Sequence, residues 1–283
     1  MSITSQICSF EIEKYTKRFS FGGIREGVYI HLKDTDGRKA TGEVSPLPGR
    51  SLETLEMVLT DLNRFKNNFL DNNLTPFALH PSVMFGMQMA LYSLQNDDPI
   101  FFPPITKLYL TPPIFTSSGP VKLKLGNYSV NDATIFYNKF LRKDKTIRID
   151  LERKWDIKKS IEFCKGIDTS SLLYVEDPVT NYCDLEKFYR ETGVEFAVDN
   201  FIPFQPVEKI KALEGLHSAI IKPTLVGGLH ECRNLQAAFA PIPISFSSLF
   251  ETSVGIHHIK VISSILCGEN PVGVDTLKFL KSR

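Results

Sequence analysis

The chain has 283 residues, 33 Lys and Arg against 32 Asp and Glu, a formal charge of +1 and 42% hydrophobic residues. That length and apolar content can bury one large α/β unit with a smaller one attached, while the even charge balance excludes a broad basic surface for nucleic acid. Five scattered cysteines (Cys8, Cys164, Cys183, Cys232, Cys267) form no CxxC pair, which excludes a disulfide or zinc framework and fits free thiols in a reducing cytosol.

The first residues, MSITSQICSFEIEKYTKRF, lack the uninterrupted apolar core of a signal peptide. The longest apolar stretch, 77–94, is broken by His80, Pro81 and Gln88, too polar to span a bilayer. A soluble cytoplasmic protein with a small-molecule partner and no membrane partner is expected, as a monomer or small homo-oligomer. Residues 6–16 and 27–32 (GVYIHL) read as strands, the second turning through 34–37 (DTDG) into a third at 40–44. Leu52, Leu55, Val58, Leu59 and Leu62 then recur at helical spacing behind Ser51, the expected N-cap, and 82–94 is a second apolar helix. Strands followed by helices describe a small α+β domain over 1–103.

From 104 onward strand and helix alternate. Strands are predicted at 107–110, 121–125, 146–149, 171–175, 195–198, 218–221 and 242–246. Helices are predicted at 133–141, at 157–164 behind Asp156, at 185–189 behind Asp184 and at 207–213, closed by Gly215. Repeated βα units imply a parallel sheet, and seven or eight of them favour a barrel over 104–270, with 271–283 closing it or returning to the first domain. The connection 112–119 is too short and too rich in Pro and Ser for a helix, so the first βα unit is expected to be abbreviated.

Five charges stand at the ends of successive predicted strands: Lys124, Asp150, Glu176, Asp199 and Lys222, spaced by 26, 26, 23 and 23 residues. A barrel directs such strand ends into one mouth, where three neighbouring carboxylates repel one another unless a cation lies among them. All-oxygen ligation suits Mg²⁺ or Mn²⁺, since none of these strands ends in the His or Cys that zinc prefers. A single Asp after a strand is more often a loop residue or an N-cap; the shared register of three is what favours ligation. Lys122 and Lys124 alternate with Val121, Leu123 and Leu125, so both face the interior, and paired positive charge lowers an amine pKa toward that of a general base. Lys222 lies across the mouth. The set suits abstraction of a proton next to a carboxylate, with electrostatic stabilisation of the resulting enediolate.

Several segments carry a resemblance. VKLKLG at 121–126, IDLERKW at 149–155, YVEDP at 174–178, AVDN at 197–200 and IIKPTLVGG at 220–228 resemble the motifs of the enolase superfamily, in its order and at its spacings. Within it the likeness is greatest to the shorter bacterial type of the o-succinylbenzoate synthase family. IREGVYIHL at 24–32, GEVSPLPG at 42–49 and PSVMFGMQMALYSL at 81–94 look like that family's capping domain, and SSLFETSVG at 247–255 and PVGVDTL at 271–277 like its last barrel segments. The resemblance implies an enolase-like modified (β/α)7β barrel with an N-terminal α+β capping domain. It implies Asp150, Glu176 and Asp199 as Mg²⁺ ligands, with Mn²⁺ the alternative. Lys124 becomes the acid/base and Lys222 the electrostatic partner on the opposite face. Lys122 would tune Lys124, and Arg148, Ser247 and Ser248 would contact substrate. The implied reaction is dehydration of 2-succinyl-6-hydroxy-2,4-cyclohexadiene-1-carboxylate to o-succinylbenzoate, a step of menaquinone synthesis.

The chain departs from the family at two positions: Glu152 stands where Asn is usual, and Asn200 where Glu is usual. A compensating exchange around the site is the expectation. Gly22, Gly23 and Gly27, near Arg25 and Glu26, are expected to form a mobile loop over the mouth, with 45–50 as a second loop. Dipeptide epimerases, N-succinylamino acid racemases and muconate-type cycloisomerases of the same superfamily would use the same metal and lysines. A catalytically silent barrel acting as a binding protein is the alternative from another class. The desolvation of two lysines beside three acids argues against it.

Overall fold

The computed structural model describes residues 7–70, 79–113, 118–141 and 146–281. Three antiparallel strands open the chain, β1 (Ile7–Arg18), β2 (Ile24–Asp34) and β3 (Lys39–Val44). Position 6, predicted to begin the first strand, lies outside the described residues. Gly22 and Gly23 take positive φ, 96° and 87°, in the tight β1–β2 turn, where a side chain at either would be strained. Gly27 is not part of that loop: it pairs with Tyr15 inside the ladder, and a Cβ there would lie 2.5 Å from the Tyr15 hydroxyl.

Two helices pack on this sheet, α1 (Leu55–Leu70) and α2 (Pro81–Gln95). The first starts later than Ser51 predicts. Thr54 caps it by accepting from the Met57 amide at 3.3 Å, while the Ser51 hydroxyl accepts from the Leu47 amide at 2.9 Å. Two carboxylate oxygens on neighbouring turns prepare the start of α2: buried Glu53 accepts the Ser82 amide and Asp61 accepts the His80 amide, each at 3.0 Å. Because α2 is apolar on every side it is buried on every side. Val83, Met87, Ala90 and Leu94 join the core against the three-stranded sheet, and Phe85 and Met89 join the core of the second layer. The approach to β3 is backbone on backbone: a Cβ at Gly42 would lie 2.1 Å from the Gly86 carbonyl oxygen, and one at Gly86 2.6 Å from Val44.

Seven parallel strands follow, β4 (Lys107–Tyr109), β5 (Val121–Lys124), β6 (Ile147–Asp150), β7 (Leu172–Glu176), β8 (Phe196–Val198), β9 (Leu216–Ile221) and β10 (Ile244–Phe246), in sequential order. The two edges meet through one segment: Val272 bridges in parallel to Ile105, and Gly273 to Ser247. This closes the sheet into the modified barrel, with the α+β layer as its cap. The chain end then runs back to the cap, where Leu280 pairs with Phe19 and the Lys281 amide donates to the Arg18 carbonyl at 2.8 Å.

Helices α3 (Val130–Asn138), α4 (Ile157–Lys165), α5 (Leu185–Thr192), α6 (Val207–Lys211), α7 (Pro223–Val226), α8 (Leu229–Phe239) and α9 (Ser253–Cys267) cover the outside. Asp156 caps α4 by accepting the Lys159 amide at 2.9 Å. Asp184 does not cap α5; it ends a 3₁₀ turn in helical backbone, with no side-chain bond to the helix. The flanks of the β4–β5 connection, 110–113 and 118–120, carry no helix; its residues 114–117 lie outside the described residues. Among the described residues no helix is long and apolar enough to cross a membrane.

Along β5 and β6 the branched and aliphatic residues face the helices and the charged ones face inward, whereas β7, β8 and β9 also send apolar side chains inward. Val121, Leu123, Ile147, Ile149 and Val175 are fully buried in the outer core, and Tyr174, Ala197 and Ile220 form a separate apolar floor inside.

Replacing Gly86 with Ala pushes a methyl against β3, and urea unfolding should show a loss of about 2–3 kcal/mol. His258 on α9 is buried beside the edge of Phe85, and burial, assisted by the charge of His257, holds its imidazole down to about 4. The unfolded chain therefore binds a proton near 6.5 that the folded chain refuses. Stability should fall as pH drops from 6.5 to 4 by about 3 kcal/mol, a slope that His258→Gln removes, measured by urea titration across that window.

Candidate active site

The barrel register puts Lys122 beside Arg148 and Lys124 beside Asp150 across β5 and β6, and Arg148 beside Tyr174 and Asp150 beside Glu176 across β6 and β7. Asp199 and Lys222 follow the ends of β8 and β9. All five charges anticipated at strand ends therefore gather at one end of the sheet. Lys124, Asp150, Asp199 and Lys222 line a cavity of about 700 Å³ including its open mouth, and Lys122, which also lines it, stands between the cavity and Glu176.

The ion pairs are specific. Lys122 Nζ donates to both oxygens of Glu176, at 2.7 and 2.8 Å, and lies 3.0 Å from Asp150 Oδ2. Lys124 Nζ donates to Glu152 Oε1 at 2.7 Å and lies 3.9 Å from Asp150 Oδ2. Lys222 donates to Asp199 Oδ2. Burial alone would depress the Lys122 ammonium, but Asp150 and Glu176 outweigh it and hold its pKa well above the ordinary value. One ammonium does not neutralise two buried carboxylates. Burial also pushes Asp150 up, yet with both Lys122 and Lys124 at hand it falls to about 2. Glu176 is driven up to about 8 by burial, with Asp150 and Asp199 adding repulsion to what Lys122 relieves.

Among the described residues, no group of three or more His, Cys, Asp or Glu side chains has its donors gathered for a metal ion. Lysines hold oxygens of Asp150, Glu176 and Asp199 instead. The donor chemistry nevertheless fits a hard divalent cation: three carboxylates at the ends of adjacent strands, with Glu176 and Asp150 both buried and facing each other across β6 and β7. Asp150, Glu176 and Asp199 would hold it.

The expected substrate contacts divide. Ser247 and Ser248 both line the cavity; the Ser247 hydroxyl donates to the Gly273 carbonyl at 3.2 Å, and the Ser248 hydroxyl pairs with Thr276 at 2.8 Å. Arg148 faces inward but is not on the cavity wall. Its Nη1 donates to Thr106 Oγ1 at 2.6 Å and its guanidinium lies 5.6 Å from the centre of the Tyr174 ring, among the inner polar residues. Glu152 and Asn200 have separate partners on the two sides of the mouth. Glu152 joins Lys124 to Lys154, whereas Asn200 donates to Asp177 and accepts from Arg50. Burial pushes Glu152 up, but Lys124 outweighs it and leaves its carboxyl below the ordinary value.

Three site residues escaped the sequence reading. Asp177, fully buried and at φ 46°, accepts the amides of Asp199 at 3.1 Å and Asn200 at 2.9 Å, which fixes the turn carrying Asp199. Its signal was its place between Glu176 and Pro178. Asp275 lines the wall opposite and accepts from the Leu108 amide and Lys278. Phe250 lines the mouth at φ 61°; both lie in segments that carry the family resemblance, 247–255 and 271–277, but no spacing or periodicity singles either out. Arg25, expected on a mobile loop, is 1% exposed. Its guanidinium donates to the carbonyls of Ser45, Pro46 and Phe250, so it anchors the second predicted loop, whose Leu47 and Arg50 reach the cavity.

Comparison with known proteins follows from this geometry. Residues 18–94 match the family model described as MenC, N-terminal domain. Over 281 residues the chain is 31% identical to the o-succinylbenzoate synthase of Escherichia coli O139:H28 (strain E24377A / ETEC), covering 92% of this chain and 85% of that protein. Among solved structures, the dipeptide epimerase from Enterococcus faecalis V583 matches with a TM-score of 0.77 at 14% identity, covering 98% of this chain and 92% of that one. The o-succinylbenzoate synthase from Thermosynechococcus elongatus BP-1, complexed with Mg in the active site, matches with a TM-score of 0.71 at 19% identity, covering 97% and 95%. At those identities the two structures speak for the fold alone.

Asp177→Ala leaves the part-buried amides of Asp199 and Asn200 without this acceptor. Chemical unfolding should show a loss of about 2–4 kcal/mol, and hydrogen exchange should accelerate at Asp199 and Asn200 while the amides of β6 stay protected.

Proposed function

The chain belongs to the o-succinylbenzoate synthase family, and on that premise we propose that this enzyme is a hydro-lyase that dehydrates 2-succinyl-6-hydroxy-2,4-cyclohexadiene-1-carboxylate to o-succinylbenzoate for menaquinone synthesis. The observation that carries the reading is the pair of lysines, Lys124 ending β5 and Lys222 just after β9, facing one cavity across the three strands at whose ends Asp150, Glu176 and Asp199 stand. Mg²⁺ is the proposed metal, with Mn²⁺ the alternative, held by those three carboxylates. Bound there, it would supply electrostatic stabilisation for the negative charge that develops on the substrate carboxylate.

The protein's own groups perform the proton transfers. Lys124 removes the proton from the carbon next to the carboxylate, and the same amine, now an ammonium, returns that proton to the β-hydroxyl as it leaves as water. Formation of the aromatic ring makes the elimination favourable, so one residue serving both transfers is sufficient. Lys222 stays charged and stabilises the enediolate from the opposite face. Glu152 holds the Lys124 ammonium by its 2.7 Å bond, and Lys154, 2.8 Å from the other oxygen of Glu152, fixes that carboxylate in turn. Lys122 carries charge between Asp150 and Glu176. Ser247 and Ser248 offer hydroxyls to the succinyl end, and Arg148 supports the floor without touching substrate.

The proposed division of labour assigns 1–103 to capping, 104–270 to the barrel and 271–283 to closure and return. The proposed setting is the cytoplasm, as a monomer or small homo-oligomer, with a small carboxylate as the only ligand besides the metal.

Purified protein with Mg²⁺ and the cyclohexadiene substrate should consume the diene absorbance, and Lys124→Ala should lower kcat by at least about 10³-fold with an unchanged melting temperature. Folded parent protein that leaves the diene intact but racemises an N-succinylamino acid or epimerises a dipeptide would move the chain to another activity of the same fold.

A further inference from the structure

Resting on the reading of this cavity as the substrate site, we propose that Phe250 is the apolar roof that seats the substrate's ring, and that the buried Arg25 is the positioning residue that holds it there. Phe250 lies on the cavity wall, half-buried, at φ 61°. A bulky side chain is rare in that left-handed region, and it persists only where surrounding contacts over-determine it. A glycine would adopt the same backbone freely, so a phenylalanine there points to a use for the ring.

The contacts that hold it are on the page. Arg25 Nε donates to the Phe250 carbonyl at 3.2 Å, and its other nitrogens donate to the carbonyls of Ser45 and Pro46. One guanidinium thus sets both sides of the mouth: the loop bearing Leu47 and the turn bearing Phe250. The neighbouring Leu249 amide donates to Glu251 Oε2 at 2.7 Å. Behind the ring stand Phe19, edge-on at 5.4 Å, and Phe21 at 6.1 Å, both from the β1–β2 turn. Phe250 itself lines the cavity.

The cavity therefore has two chemical halves. Lys222, Ser247 and Ser248 present a cation and hydroxyls to carboxylates, and Leu47, Leu249 and Phe250 supply an apolar face. An unsaturated six-membered ring bearing one carboxylate and a succinyl chain that ends in a second matches both, because the ring packs on the apolar face while the ammonium and hydroxyl groups take its charges.

The test separates roof from scaffold. Affinity for o-succinylbenzoate is measured by calorimetry in the presence of Mg²⁺, with the melting temperature and steady-state kinetics, for Phe250→Gly, Phe250→Leu, Arg25→Lys and the Arg25→Lys/Phe250→Gly pair. Glycine relieves the backbone, so Phe250→Gly should melt no lower than the parent yet bind product about tenfold more weakly, with KM rising more than kcat falls. Phe250→Leu should recover part of that loss. Arg25→Lys should weaken product binding in the parent and weaken it by a smaller factor in the Phe250→Gly background, since part of its action runs through that residue and the rest through the loop bearing Leu47. Product affinity of Phe250→Gly within twofold of the parent overturns the proposal alone, and so do Arg25→Lys and Phe250→Gly effects that multiply. A parent that binds no o-succinylbenzoate overturns the functional reading, and this proposal with it.

Discussion

Asp150 and Glu176 sit opposite each other on neighbouring strands, both buried, and two carboxylates so placed do not both stay ionised unless cations stand beside them. The mouth of the barrel is arranged around that repulsion. Lys122 bridges the pair, Lys124 leans on Asp150 from the next strand, and Lys222 takes Asp199 from the other side. Even so, burial holds Glu176 at a raised pKa of about 8, with repulsion from Asp150 and Asp199 adding to it against the relief that Lys122 and Lys222 give. A site with unrelieved negative charge of this kind is suited to a divalent cation and to a substrate that develops charge of its own during reaction.

Such a site requires walls that hold still, and the cap supplies them through two fully buried charged residues. Glu43, from β3, accepts the Thr252 amide at 2.9 Å, the Thr252 hydroxyl at 2.6 Å and the Gly255 amide at 2.8 Å, placing a carboxylate at the start of α9 where the helix dipole favours it. Tyr15 donates to the same carboxylate at 2.6 Å. Arg25, from β2, grips the carbonyls on either side of the mouth. Between them they clamp 249–255, the stretch that continues from Ser247 and Ser248, onto the cap. The cap and the barrel share the α2 core as well, so the cavity is bounded by parts of the chain more than 200 residues apart that are joined by buried polar bonds.

Much of this was legible in the sequence, for identifiable reasons. A parallel strand buried on both faces reads as an apolar run ending in a charge, and the interval between such ends is set by the lengths of strand, helix and loop, so the five strand-end charges stood out before any contact was known. The helix starts were less legible. Ser51 and Thr54 are both competent caps, and the choice went to Thr54 because the Ser51 hydroxyl was taken by the Leu47 amide of the preceding loop. Gly27 looked like loop glycine, yet it lies in a strand because the Tyr15 ring occupies the space of its missing side chain. The separate partners of Glu152 and Asn200 were invisible because β6 and the turn after β8 meet only in the barrel.

The sequence by itself determined the order of the strands and of the helices through α6, the inward set Lys122, Lys124, Arg148 and Asp150 by simple alternation, and the chemistry of the strand ends, because each depends on local periodicity; α7, α8 and α9 came only from the structure. Tertiary structure alone decided which ammonium meets which carboxylate, that Arg148 supports the floor instead of lining the cavity, that Arg25 is an anchor instead of a lid residue, and that Val272 and Gly273 join the two edges of the sheet. Those outcomes depend on barrel closure and on the docking of the cap, which bring together residues whose separation along the chain carries no local signal.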